Sequence, residues 1–208
     1  MTDTEANRRP IAARGSAWAR ALAGTLARSA VTPNQISVAS VAFAAAGAAL
    51  LAWWPTWAGL LVCALCIQLR LICNLIDGMV AVEGGRQSAL GKLYNEFPDR
   101  VADSLLIVAA GYACGWAWLG WLGALLAALT AYVRVFGGAL GFVQDFRGPL
   151  AKQQRMAVLT AGCVFGALET RWHADGYALL AASVVIAAGA LVTCATRTRA
   201  IARALTMR

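Results

Sequence analysis

Charge is scarce in this chain and unevenly spread. Charged residues occupy 13% of the 208 positions and apolar residues 60%, which leaves too little polar surface for a soluble domain of this length and points to a polytopic protein forming one domain in the bilayer. Histidine is nearly absent. The single one, His173, lies beside Trp172 and Asp175 in a short loop, where an interfacial role is expected and a catalytic one is not. Cys63 and Cys66 form a C-x2-C without a second pair at zinc-site spacing, and Cys73, Cys114, Cys163 and Cys194 scatter among apolar segments, so the cysteines read as packing residues. Before Ile36 the chain carries Arg8, Arg9, Arg14, Arg20 and Arg28 but no apolar run like that of a signal peptide, so no cleavable targeting segment is expected. No internal repeat is visible, which weighs against a small transporter.

What is present is a series of apolar segments, at about 36–54, 58–81, 92–116, 118–141, 156–171 and 175–196, each long enough to cross a membrane. The expected fold is therefore all-α, with six transmembrane helices over 34–196, a segment 1–33 before them and a basic tail 197–208 after them. Residues 11–28 interleave Arg with Ala, Leu and Trp at helical spacing, which suits an amphipathic helix lying in the interface. Thr32 and Pro33 are helix-start chemistry ahead of the first span. Arg86 and Lys92, then Arg147, Lys152 and Arg155, then Arg197, Arg199, Arg203 and Arg208 fall on the side of the N-terminal arginines, whereas the opposite loops carry essentially only Arg171. That asymmetry places both termini in the cytoplasm. The net charge of +8 then reflects topology and attraction to anionic membrane lipids, and nucleic acid is not expected as a partner. Trp53, Trp54, Trp57, Trp116, Trp118 and Trp121 gather at the outer ends of the spans as an aromatic belt.

The stretch from Arg70 to Asp103 breaks the apolar pattern by setting polar side chains into the ends of two spans, where ionisable groups are costly and mark function by default. On helices, Arg70, Asn74 and Asp77 share one face, and Asn95, Asp99 and Asp103 form a second stripe with about 6 Å of rise between members. A short loop containing Gly84 and Gly85 joins them. Two stripes of oxygen ligands facing each other across such a hairpin suit a hard divalent cation and a phosphate.

The spacing that runs from Asn74 through Asp77-Gly78, Ala81-Val82, Gly91 and Asn95 to Asp99 resembles the motif of the CDP-alcohol phosphotransferases, membrane enzymes that move a substituted phosphate from a CDP-linked donor to an alcohol. T-P-N-Q-I-S at 32–37 is similar to the start of the first membrane helix in the same family, and the two together cover most of the chain's first half. Three residue types depart from the family pattern: Asn74 and Asn95 stand where the first and third aspartates belong, and Val82 replaces the arginine. The resemblance implies metal ligands at Asn74, Asp77, Asn95 and Asp99, with Asp99 also taking the alcohol's proton, and a cofactor of Mg²⁺ or Mn²⁺. Four carboxylates have become two, a charge that compensates one such ion and holds a second poorly. Arg70, one turn before Asn74, is positioned to make up positive charge, and Asp103 to pack in its helix or pair with Arg100.

For the donor, Arg86 can reach the pyrophosphate in place of the missing arginine, Ser88 falls where related enzymes use a hydroxyl, and Gly78 and Gly91 let the nucleotide approach the backbone. A third basic set comprises Arg134, deep in the fourth apolar run, with Lys152 and Arg155. Y-V-R at Arg134 and the spacing Gly148-x3-Lys152-x2-Arg155 are similar to the acceptor-phosphate site in the inositol-phosphate branch of the family. The expected function is transfer of a substituted phosphate, phosphatidyl above all, from a donor such as CDP-diacylglycerol to a small alcohol or alcohol phosphate, with release of CMP in phospholipid synthesis. The expected setting is a bacterial inner membrane, with a homodimer as the possible assembly. The competing expectation is a catalytically silent member that binds lipid or nucleotide or supports another lipid enzyme.

Overall fold

A computed structural model describes residues 15–85, 90–171 and 176–207, and within them the chain is entirely helical. Seven helices follow one another: α1 (Ala17–Ala27), α2 (Pro33–Trp53), α3 (Trp57–Glu83), α4 (Gly91–Ala113), α5 (Ala117–Ala139), α6 (Lys152–Glu169) and α7 (Tyr177–Thr206). Among the described residues, α2, α3, α5 and α7 are long and apolar enough to cross a membrane. The other two long helices, α4 and α6, carry the charged residues of the Asn95–Asp103 and Lys152–Arg155 stretches.

Local chemistry sets the helix starts. Thr32 accepts a hydrogen bond from the Gln35 N–H at 3.3 Å and Gln35 Oε1 accepts one from the Thr32 N–H at 2.9 Å, a reciprocal cap with Pro33 in the first turn. Thr56 caps α3 in the same manner through the Gly59 N–H. Helix α6 begins at Lys152, a full turn before the expected 156, because Lys-Gln-Gln-Arg are good helix formers and the buried Arg155 draws that turn into the bundle. Helix α7 continues past 196 to Thr206, so the expected tail is helical over its described part.

The six long helices close into a ring. Helix α2 packs on α3 and α4, α4 on α5, α5 on α7, α7 on α6, and α6 on α3, with α1 lying against α3. The core of the ring is Leu51, Ile67, Leu106, Met156, Leu159 and Ile186, interleaved with alanines. Helix α1 buries Ala19 and Ala23 against Ile76, Met79 and Val80 while Trp18 and Leu22 stay exposed, the arrangement expected of a helix lying along the bundle's edge.

The two ends of the ring are built differently. At the end holding the α4–α5 turn, a Cβ added to Gly111 would lie 2.6 Å from the Gly120 backbone, so the two helices touch main chain to main chain. At the opposite end charged side chains occupy the interior. There Pro98 sits inside α4, removing the hydrogen bond that would engage the Tyr94 carbonyl, one residue before Asp99.

Candidate functional site

The polar end brings residues of six helices together, α2 to α7. Asp77 on α3 is buried; its Oδ2 accepts from Ser37 Oγ on α2 at 2.5 Å and its Oδ1 accepts from the Gly78 N–H at 2.5 Å. Asp99 on α4, 8% exposed, receives the Lys152 ammonium from the first turn of α6, with Arg70 Nη2 at 3.5 Å and Arg100 Nη2 at 3.8 Å. Asp77 lies within electrostatic reach of both Asp99 and Lys152. Of the two stripes read from the sequence, Arg70 of the first reaches Asp99 and Asp103 of the second, with α2 packed against both helices.

One turn deeper the chemistry changes. Asp103 is 2% exposed and sits between two guanidiniums: Arg70 Nη2 donates to Oδ1 at 2.5 Å and Arg155 Nη2 to Oδ2 at 3.0 Å. Arg155 Nη1 also donates to Thr130 Oγ1 at 3.2 Å and to the Leu150 carbonyl at 2.9 Å. Both arginines are sealed from solvent, so this is a fixed ionic knot tying α3, α4, α5 and α6. The expectation of Arg100 as the partner of Asp103 is corrected, because Arg100 reaches back to Asp99 while the longer reach across the ring brings in Arg70 and Arg155.

The basic residues assigned from the sequence to an acceptor phosphate all have internal acid or carbonyl partners. Arg134 donates to Glu96 Oε1 and Gln144 Oε1, each at 2.5 Å, and its guanidinium lies 5.3 Å from the Phe146 ring centroid. Lys152 is on Asp99 and Arg155 on Asp103. The loop before α6 is itself tied down. Gly148 has φ +128 with Thr193 against its Cα, the Leu150 N–H donates to Thr193 Oγ1 at 3.2 Å, and Arg197 donates to the carbonyls of Arg147 at 2.8 Å and Thr130 at 2.7 Å. At its exposed edge, hydrogen bonds from Arg147 hold the Asp145 carboxyl below the ordinary carboxylate range.

Of the remaining expected site residues, Gly78 and Gly91 fall on α3 and α4 flanking the hairpin loop, Asn95 is exposed, and Arg86 and Ser88 lie outside the described residues. Asn74 is the informative one. Its Nδ2 is buried with no hydrogen-bond partner, and a half-turn of the amide would present an oxygen at that position instead. Among the described residues no three His, Cys, Asp or Glu side chains cluster as a metal site. The side-chain oxygens at this end that could hold a hard cation are those of Asp77, Asn74 and Asp99, a set whose chemistry suits Mg²⁺ or Mn²⁺ bound by one or two carboxylates and completed by substrate phosphate.

Sequence reasoning missed Ser37, Glu96 and Thr130. Each carried a signal: a hydroxyl or carboxylate within an apolar helix must find a partner, and Ser37 closes the T-P-N-Q-I-S stretch. Cys63 and Cys163 approach to 3.9 Å between sulfurs inside the core, and all six cysteines are free.

Comparison with known proteins points the same way. No family model matches the chain. A phosphatidylinositol phosphate synthase of Mycobacteroides abscessus is 28% identical over 195 residues, spanning 86% of this chain and 81% of that protein. The crystal structure of Mycobacterium tuberculosis phosphatidylinositol phosphate synthase with CDP-DAG bound superposes with a TM-score of 0.74 at 16% identity, over 89% of this chain and 94% of that one. The same enzyme in complex with manganese and citrate gives 0.72 at 16% identity, over 88% of both chains. These two structures share the fold described above.

Proposed function

We infer that this chain is a member of the CDP-alcohol phosphotransferase family, an enzyme of phospholipid synthesis that transfers a phosphatidyl group from a CDP-linked donor to an alcohol. The observation that carries this reading is the convergence of Asp77 and Asp99 with the unpartnered amide of Asn74 at one end of a membrane helix ring. In the step itself the acceptor oxygen bonds to the phosphatidyl phosphorus, the bond from that phosphorus to the CMP oxygen breaks, CMP leaves with the bonding electrons, and the hydroxyl proton passes to Asp99. Gly78 and Gly91 line the nucleotide approach, with Arg86 and Ser88 on the donor phosphates. Asn74, Asp77, Asn95 and Asp99 are the candidate ligands of Mg²⁺ or Mn²⁺, and the ion would supply positive charge to the phosphate of the departing CMP. Ser37 and the Gly78 N–H hold the Asp77 carboxylate in place for that purpose, while Arg70 and Asp103 fix the hairpin behind it.

The same reading gives the setting. Helices α4 and α6 cross the bilayer with α2, α3, α5 and α7, since each lies between apolar neighbours in the ring; the spans form the catalytic domain over 34–196, flanked by the cytoplasmic 1–33 and 197–208. Loop arginines put the polar end in the cytoplasm of a bacterial inner membrane, where the CDP-linked lipid donor is at hand. Of the basic residues expected at the acceptor phosphate, Arg134 is the candidate for the acceptor side, since Lys152 is held on Asp99 and Arg155 on Asp103, and the partners are membrane lipids and a second copy of the chain.

One observation favours a silent relative that binds nucleotide or lipid without turnover: Asp99 already carries the Lys152 ammonium. The deciding experiment is purified protein with CDP-diacylglycerol and Mg²⁺ or Mn²⁺, scored for CMP release against a panel of alcohols and alcohol phosphates. Release dependent on one acceptor class is expected; no release with any acceptor overturns the enzymatic reading.

A further inference from the structure

The charges around the two carboxylates of the site are distributed with a strong asymmetry. Asp99 faces Lys152, Arg70 and Arg100, whereas Asp77 accepts from a serine hydroxyl and a backbone N–H, forms no ion pair among the described residues and meets Lys152 only at longer range. The neutral amides divide in the same way. Asn74, beside Asp77, has a buried amide nitrogen without a partner; Asn95, one turn before Asp99, is exposed. A divalent ion entering beside Asp77 and Asn74 meets one carboxylate and an amide whose hydrogen bonding is unsatisfied. A divalent ion entering beside Asp99 must displace an ammonium and then sit next to two guanidiniums, a like-charge arrangement that partly buried surroundings make costly.

Lys152 is also placed with care. It is the first residue of α6, and the turn before it is pinned by the Leu150 N–H on Thr193 and the Leu150 carbonyl on Arg155. Its side chain is 13% exposed, against 11% for Asp99, so the pair is screened little by solvent. The residue that sequence reasoning assigned to an acceptor phosphate thus delivers a positive charge to the donor carboxylate from across the ring.

We propose that Lys152 is a tethered cation replacing the second divalent ion at Asp99, so that this chain binds a single Mg²⁺ or Mn²⁺, on the Asp77–Asn74 side. The proposal rests on the reading of this end as the CDP-donor site, and its test is separable from that reading. Free Mn²⁺ is counted by electron paramagnetic resonance while purified full-length protein in nanodiscs is titrated. One Mn²⁺ per chain is expected for the native sequence, for Lys152→Arg and for Asn95→Asp alone, because a cation still covers Asp99 in each. Two are expected for Asn95→Asp with Lys152→Met, where a carboxylate is added and the ammonium removed. Two ions in the native chain, two in Asn95→Asp alone, or a single ion in the double variant overturns the proposal. CMP release read in parallel should fall about 100-fold in kcat for Lys152→Met, with KM for CDP-diacylglycerol little changed and recovery in Lys152→Arg; equal activity in Lys152→Met also overturns it. One bound Mn²⁺ with no CMP release from any acceptor would defeat the enzymatic reading and leave the metal count standing.

Discussion

The two ends of the helix ring solve the same problem with opposite materials. At the α4–α5 turn, Gly111 and Gly120 let two helices meet at main-chain distance, so contact there depends on the absence of side chains. At the other end the helices are held by side chains of maximal length and charge, Arg70 and Arg155 converging on Asp103. Close packing of small residues is uniform and adjusts poorly to insertion; an ionic knot fails when one partner is lost but accepts a change made to all partners together. The end proposed to hold a charged nucleotide is therefore the end whose cohesion is itself ionic. Asp99 and Asp103 show the distinction within one helix turn: the first keeps 11% of its side chain exposed, the second, at 3%, is a fastening.

Four substitutions put this contrast to work. The largest effect is expected for Asp99→Ala, which should cut CMP release about 10²–10⁴-fold while the protein retains its fold, as a circular-dichroism melt alongside the assay would register. Asp103→Ala should leave two buried guanidiniums uncompensated and lower stability by about 3–5 kcal/mol in thermal or denaturant unfolding. Adding Arg70→Met and Arg155→Met to it should recover much of that loss; an equal loss in the triple variant would mean the knot is not what holds the end together. Gly111→Val at the other end should cost about 1–3 kcal/mol by forcing α4 and α5 apart, and no companion substitution of charge should relieve it. Glu96→Gln, which removes the ionic partner of Arg134 while its bond to Gln144 stays, should change stability by about 1 kcal/mol or less; its readout is acceptor preference, where a shift toward alcohol phosphates is expected once the guanidinium has lost its carboxylate.

The helix-forming segments were legible because bilayer-length apolar runs and the Thr32-Pro33 cap are local signals. That Arg70, Asn74 and Asp77 share one helix face was legible from periodicity, as was the stripe of Asp99 and Asp103, whereas Asn95 on the same stripe ends up exposed. Partnership was not legible. Nothing in the sequence around Asp103 indicates that its cations come from α3 and α6, since Arg100, much nearer along the chain, was the obvious candidate. Lys152 looked like an acceptor residue because its spacing from Gly148 and Arg155 fits that role, while its contact with Asp99 is created by the closure of the ring. The same closure explains Ser37 on Asp77: the serine was in plain view, but its partner lies 40 residues on.

Helix α7 has 30 residues, about 45 Å of rise against roughly 30 Å of hydrocarbon. Its last turns thus extend beyond the bilayer's apolar depth as a post, and Thr193 and Arg197 fasten the 147–150 segment to the side of that post. Lys152 hangs from this segment. The position of the last helix in the ring therefore sets the position from which an ammonium meets Asp99 on the opposite side.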